Sequence, residues 1–398
     1  MKDLKNTLAQ MCFIPLLCGL GVLGYFGADM YLPAFPELQT FFATSKAAVG
    51  LTFSVYMFGI TLGQLFYGTL SDRFGRKTIL IWSLSLFLMA TIACITSTHI
   101  YELILWRLVQ ALGACGAMVI WQAIVIDRFS PEESHSIFAI VFPMLAISPA
   151  LAPALGGALI SIASWPMIFM VLALIGALLL LSVIFLLTET TALQTRLASQ
   201  INYVQIKQKY QQLLHSSFFM GNVCTLALTS SAYFCYLTAS PFILQQMGYS
   251  PAVIGFSYLP QTLAFMGGGL LSKRIMSAFG LKTMRFCLIA FVGFSFVFFI
   301  VTVLFPLTHA LQIILPFSFM AVLSGVLYPS GMTMALNHFP KLAGTAAGLA
   351  GSIQAFCAFF TTSILSLLLF TGIISLSVMI VLLAFSSWLC FRLLVRAP

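Results

Sequence analysis

Apolar runs of about 20 residues, separated by short polar breaks, fill nearly the whole of this 398-residue sequence. A run of that length is what an α-helix needs to cross the hydrocarbon of a bilayer. The pattern predicts spans at 13–30, 47–70, 79–96, 101–126, 137–163 and 166–187. A polar stretch follows at 188–217, then spans at 218–244, 252–272, 286–304, 310–336, 342–370 and 373–394. The expected fold class is all-α integral membrane, with twelve transmembrane helices in two six-helix pseudo-repeats. The halves are an N-terminal bundle (1–187) and a C-terminal bundle (218–398), joined by a cytoplasmic linker (188–217). The first run has no small-residue cleavage site behind it and continues into Asp29 and a Pro-rich segment, so it reads as a retained helix. In the linker, Ile201, Val204, Tyr210, Leu213 and Leu214 fall near helical spacing around Lys207 and Lys209. That fits either a surface helix or a partly ordered tether.

Composition removes the soluble alternatives: 61% of residues are hydrophobic, 7% are charged, and the mean hydropathy is +1.07. A soluble domain carries roughly 25% charged residues. The formal charge of +9 is scattered one to three residues at a time between spans, which argues against a nucleic-acid surface. With the N-terminus in the cytoplasm, 16 of the 18 Lys and Arg fall on cytoplasmic segments, among them Lys2, Lys5, Arg196, Lys273, Arg274, Lys282, Arg285, Lys341 and Arg396. Only Lys46 lies outside and only Arg107 within a span. This is the positive-inside distribution, and it requires an even number of spans with both termini inside. The nine cysteines form no CxxC and lie mostly in apolar runs, so neither disulfides nor a metal is expected, and no cofactor is called for.

The segment GQLFYGTLSDRFGRK at 63–77, at the cytoplasmic end of the second span, resembles the signature loop of the major facilitator superfamily. GGGLLSKRIMSAFGLK at 267–282 is a weaker echo where a second repeat would put it, without the acid found at Asp72. ADMYLPAFPEL (28–38), LILWRLVQALGA (103–114), SPALAPALGG (148–157) and HFPKLAGTAAGLAGS (338–352) resemble the drug:proton antiporter group, in particular its bicyclomycin-resistance (Bcr/CflA) branch. The resemblance covers essentially the whole chain, with one departure at Ala111, where that branch usually carries Gly. It implies the major facilitator fold, a monomer in the bacterial inner membrane, and proton-coupled export of small amphipathic molecules or drugs. Its partners would be a small-molecule substrate, protons and the lipid bilayer. A dedicated exporter of one metabolite or siderophore, or a proton-linked importer, is the alternative within transport.

Asp29 lies toward the outer end of the first span, where a carboxylate is costly unless it pairs, protonates or faces water. It reads as a reversible proton site or as an interfacial cap of the turn into Pro33; the family resemblance favours proton coupling. Arg107, about one helical turn into the fourth span, needs acceptors, from Asp29 or from polar and backbone groups of the first helix; a purely structural Arg is the other reading. No Asp or Glu follows Glu189, so coupling is expected in the first half. Candidate substrate-binding residues are Tyr25, Tyr56, Met118, Trp121 and Gln122 in the first half. Those in the second are Tyr233, Tyr236, Tyr258, Gln261, Gln354 and Phe356; helix packing is the competing role for each aromatic. Pro149, Pro153 and Gly157 recur every fourth residue, with Gly156 beside them, on a small-residue face that suits close helix approach. By resemblance this is the antiporter motif of exporters. Asp72, Arg73, Arg76 and Asp127 would form an inner gating latch with the helix starting near Leu342, or a plain solvated cluster.

A membrane enzyme would need a concentrated catalytic site, whereas the five histidines (His99, His135, His215, His309, His338) are dispersed, most of them at span ends. A channel would show a filter loop or rings of charge. Composition alone leaves a receptor or scaffold open, but paired six-helix halves with an intramembrane acid favour alternating access.

Overall fold

The computed structural model describes residues 2–190, 203–339, 342–369 and 372–395. Among them the chain is helical, with no strand. The first half comprises α1 (Lys2–Asp29), a 3₁₀ turn (Leu32–Ala34), α2 (Phe35–Phe41), α3 (Lys46–Phe74), α4 (Arg76–Ile95), α5 (Ile100–Arg128), α6 (Pro131–Ile162) and α7 (Pro166–Leu186). The linker contributes α8 (Tyr203–Leu214). The second half comprises α9 (Ser217–Gln246), α10 (Pro251–Phe256), α11 (Leu259–Phe279), α12 (Leu281–Leu304), α13 (Leu311–Asn337), α14 (Ala343–Leu368) and α15 (Ile373–Leu394).

Eleven candidate spans are long and apolar enough to cross a membrane, the first running Phe13–Phe41 through α1 and α2. The twelfth membrane helix is α11. Its 21 residues reach about 30 Å, but Lys273 and Arg274 lower its apolarity. The predicted run 252–272 divides into α10 and α11 because the Pro260 ring would clash with the carbonyl of Phe256, where α10 stops. In the linker, α8 buries Leu213 against Phe219, Val223 and Ala350 of the second half. Ile201 and Arg196 lie outside the described residues, as do Lys341, Arg396 and the side chains of Lys2, Lys5 and Val204.

The two halves repeat each other in packing and in local chemistry. α3 packs on α5 as α11 packs on α13, α4 on α7 as α12 on α15, and α1 on α6 as α9 on α14. Gly75, between α3 and α4, and Gly280, between α11 and α12, both take positive φ (99° and 54°), a conformation that any side chain would strain. Helices α5 and α13 start with the same cap: Glu102 Oε2 accepts from the Thr98 and His99 amides, and Gln312 Oε1 from the Thr308 and His309 amides. This cap is a second internal repeat in the sequence, beyond the signature-loop echo.

Lipid offers little hydrophobic drive between helices, so close packing of small residues matters more. A Cβ added to Gly59 would stand 2.6 Å from the Ala111 Cβ, so the Ala111 methyl is accommodated by a glycine facing it on α3. The halves meet along α3 and α14, where the Ser54 and Thr362 hydroxyls bond at 2.8 Å and Ser352 donates to the Thr61 carbonyl at 2.9 Å. They also meet where α6 approaches α10, near Gly157 and Gly255. That second contact is at the far end, opposite the basic end that carries Arg73, Arg76, Lys77 and Arg128. α5 and α13 make no substantial contact across the halves, and a Cβ on Gly344, at the basic end of α14, would meet nothing within 4 Å.

Candidate functional site

Asp29 and Arg107 are the buried charged side chains among the described residues, 3% and 0% exposed. Arg107 lies seven residues into α5, about 10 Å along the helix. Its Nη1 donates to the Gly27 carbonyl at 2.7 Å and to Gln110 Oε1 at 2.5 Å. Gln110 Nε2 in turn donates to Thr91 Oγ1 at 2.8 Å. The guanidinium carbon stands 4.0 Å from the Tyr31 ring and 4.2 Å from the Tyr56 ring, contacts that stabilise a desolvated guanidinium. The hydroxyls of these tyrosines are fixed elsewhere, Tyr31 to Thr52 at 3.0 Å and Tyr56 to the Gly24 carbonyl at 3.0 Å. The acceptors of Arg107 are thus a backbone carbonyl and a glutamine, and its Nε and Nη2 have no protein partner. Both salt bridges among the described residues belong to Arg76.

Asp29 closes α1, and its Oδ1 is buried without a hydrogen-bond partner. It lies one helical turn beyond Tyr25 on α1 and two residues from Gly27, whose carbonyl accepts from Arg107. The cap-to-cap offset from Glu102 to Gln312 is 210 residues (312 − 102), and applied to Arg107 it gives Phe317. Phe317 stacks on Tyr236 at 4.2 Å. The second half therefore puts an aromatic pair where the first half holds its buried cation.

Between the halves at mid-depth lies a cavity of about 490 Å³ with no charged residue in its lining. Of the residues expected to bind substrate, Tyr25, Gln122, Tyr233, Gln261 and Gln354 line it. The others do different work. Tyr56 supports Arg107, Met118 fills the space beside Gly24, and Trp121 packs edge-on against Phe138 and Phe142. Tyr236 accepts from Gln261 Nε2 at 2.9 Å, Tyr258 bonds Ser240 at 2.8 Å, and Phe356 is 48% exposed beside Phe359. Sequence reasoning missed Phe142, Thr229, Ser230, Thr262, Phe317 and Tyr328, all of which line the cavity. The hydroxyls at 229–231, inside an apolar run, were the available signal.

Pro149 lines the cavity, and the rest of its motif packs at the far end. A Cβ on Gly156 would stand 1.7 Å from the Met30 carbonyl oxygen, one on Gly157 2.4 Å from that of Pro251, and one on Gly255 2.3 Å from that of Pro153. The motif thus seats α6 on α1 and on the first turn of α10. At the basic end, Arg76 pairs with Asp72 at 2.5 Å and with Asp127 at 3.0 Å. Arg76 Nη1 also donates to Ser71 Oγ at 2.6 Å, while Arg73 lies over its neighbour Phe74 at 5.2 Å. These bonds stay within the first half. Among the described residues no group of three His, Cys, Asp or Glu side chains comes together as a metal site would require.

Residues 17–362 match the model of the Major Facilitator Superfamily, and the chain belongs to that superfamily. It is a multi-pass membrane transporter, not an enzyme. An uncharacterized MFS-type transporter, YdgK, of Bacillus subtilis is 32% identical over 85% of this chain and 84% of its own. A bicyclomycin resistance protein homolog of Haemophilus influenzae is 25% identical over 89% and 88%. A multidrug resistance protein MdtL of a Shewanella species is 26% identical over 96% and 95%. The resemblance to bicyclomycin-resistance transporters is thus met among its relatives. The fold is shared with a D-xylose–proton symporter (TM-score 0.69, 17% identity, 95% and 96% covered). It is shared also with a bacterial homolog of the lysosomal transporter Spinster, inward-facing and occupied (TM-score 0.73, 14% identity, 96% and 94% covered).

Proposed function

We propose that this transporter exports small amphipathic molecules across a bacterial inner membrane in exchange for protons, by alternating access of the central cavity. The observation that carries the reading is Asp29: a buried carboxylate with an unpartnered oxygen, one helical turn along α1 from Tyr25, which lines the cavity. A carboxylate so placed is costly to leave charged and unpaired, so its protonation is naturally coupled to what occupies the cavity and to which end is open. Arg107 holds the neighbouring carbonyl of Gly27 and has two N–H-bearing nitrogens to offer when Asp29 ionises. Both termini and the basic end lie in the cytoplasm, as the distribution of Lys and Arg requires. The conformation is then inward-facing, closed at the far end by the seam of α6 against α10.

In this reading the bundles 1–187 and 218–398 rock about the α3–α14 contact as a monomer, with 188–217 as their tether. Asp72, Arg73, Arg76 and Asp127 latch onto the start of α14 only when the basic end closes. The names of the relatives, multidrug and bicyclomycin resistance, support export and a broad substrate range. The test is an export profile of cells overproducing the wild type against cells overproducing Asp29→Asn. Lower accumulation of amphipathic compounds in the wild type alone supports the proposal; equal export by both overturns it.

A further inference from the structure

The cavity wall contributed by the second half contains buried polar atoms that nothing in the protein satisfies. Gln261 and Gln354 each use one end of the amide on a tyrosine hydroxyl: Gln261 Nε2 to Tyr236 at 2.9 Å, and Gln354 Oε1 from Tyr328 at 3.1 Å. The other ends, Gln261 Oε1 and Gln354 Nε2, are buried without partners, as is the Tyr233 hydroxyl. All three residues line the same cavity. A buried amide left half-paired is costly, so each free end favours a complementary partner. One free end accepts, the other donates, and the hydroxyl does either.

Charge narrows the ligand further. No charged side chain lines the cavity, and no Asp or Glu follows residue 189 anywhere in the sequence. A quaternary cation would find aromatic faces here, but it has no N–H to give Gln261 and no oxygen for Gln354. It would bury its charge in a lining that holds no acidic side chain. We infer that the second-half wall is a subsite for an uncharged amphiphile whose polar group both donates and accepts hydrogen bonds, as a carboxamide or alcohol does. It is gripped by Tyr233, Gln261 and Gln354, with the apolar body against Phe291 and Phe317. This rests on reading the central cavity as the substrate site.

The test uses the full-length protein in detergent and three probes that share a nitrobenzoxadiazole fluorophore and a six-carbon chain ending in carboxamide, methyl or trimethylammonium. Affinities are read from the fluorophore's emission. The carboxamide probe should bind at least about fivefold more tightly than the other two, the value of one net hydrogen bond or more. Gln261→Leu and Gln354→Leu should each lower the carboxamide-over-methyl preference by about fivefold while keeping affinity for the methyl probe, which reports an intact pocket. Should either leucine variant lose the methyl probe as well, Tyr233→Phe, which removes one oxygen, should reduce the same preference. Tighter binding of the trimethylammonium probe, or an unchanged preference in the variants, overturns the ligand class alone. Failure of the wild type to bind any of the three overturns the assignment of the cavity as well.

Discussion

Replacing Gly157 with alanine puts a methyl carbon 2.4 Å from the Pro251 carbonyl oxygen, where ordinary contact begins at 3.4 Å. The seam between α6 and α10 must therefore open by about 1 Å (3.4 − 2.4), and the obstacle is backbone, which cannot swing aside as a side chain would. Overpacking of this size costs about 1–3 kcal/mol. Because the seam joins the two halves, that cost falls on the state in which the far end is closed and is relieved when the end opens. The ratio of far-open to far-closed molecules should rise by about 5- to 150-fold. Gly156→Ala is the control. Its methyl would collide with the Met30 carbonyl inside the first half, a contact carried through every state, so it should lower folded yield without favouring an open far end. The assay is reaction of Ser230→Cys, in the cavity lining, with a membrane-impermeant maleimide applied to intact cells in a cysteine-free background. Labelling should accelerate at least about fivefold with Gly157→Ala. Unchanged labelling in a folded, inserted Gly157→Ala protein would refute the idea that this seam closes the far end.

Arg107→Lys should lower transport at least tenfold and reduce the Tm, because an ammonium cannot bond Gly27 and Gln110 while lying flat on the tyrosine rings; wild-type efflux would show that charge alone suffices. Asp72→Asn should shift stability by about 0.2–1 kcal/mol at most, since the side chain is 50% exposed in its bridge to Arg76. It should nevertheless slow turnover and raise cytoplasmic labelling of a cysteine beside the cavity, and an unchanged labelling rate with lost efflux would sink the latch. Gly59→Ala should destabilise, its methyl standing 2.6 Å from the Ala111 Cβ and 2.8 Å from the Leu108 carbonyl oxygen. Adding Ala111→Gly should recover part of the loss, because only the first clash is removed, and a double-mutant cycle on Tm reads this directly.

Hydropathy placed most membrane helices to within a few residues, because a 20-residue apolar run has few other fates, but the helix expected at 252–272 lies seven residues further on, at Leu259–Phe279. Where it went astray, a local rule competed: Pro260 broke the eighth run, which apolar counting alone passes over. Residue facing was far less legible. In helices apolar on all sides the 3.6-residue period carries little contrast, so for Tyr56, Met118 and Trp121 the sequence leaves cavity lining and helix packing both open; in the structure they make packing contacts. Gln110 as a partner of Arg107 is an i, i+3 neighbour and could be read from spacing. Gly27, 80 residues away in the chain, could not. The polar character of the second-half wall was visible as Gln261 and Gln354; what the sequence could not give is that tyrosines pin one end of each amide and leave the other free.

Asp29 is proposed to exchange the proton that drives export. This exchange is tested most directly in proteoliposomes containing a trapped pH-sensitive dye, with an exported compound added to wild type and to Asp29→Asn protein of equal orientation and ligand affinity. Substrate-dependent proton movement is expected in the wild type and none in Asp29→Asn, although the variant still binds the compound. Proton-coupled, uphill transport by Asp29→Asn at the wild-type rate would contradict it.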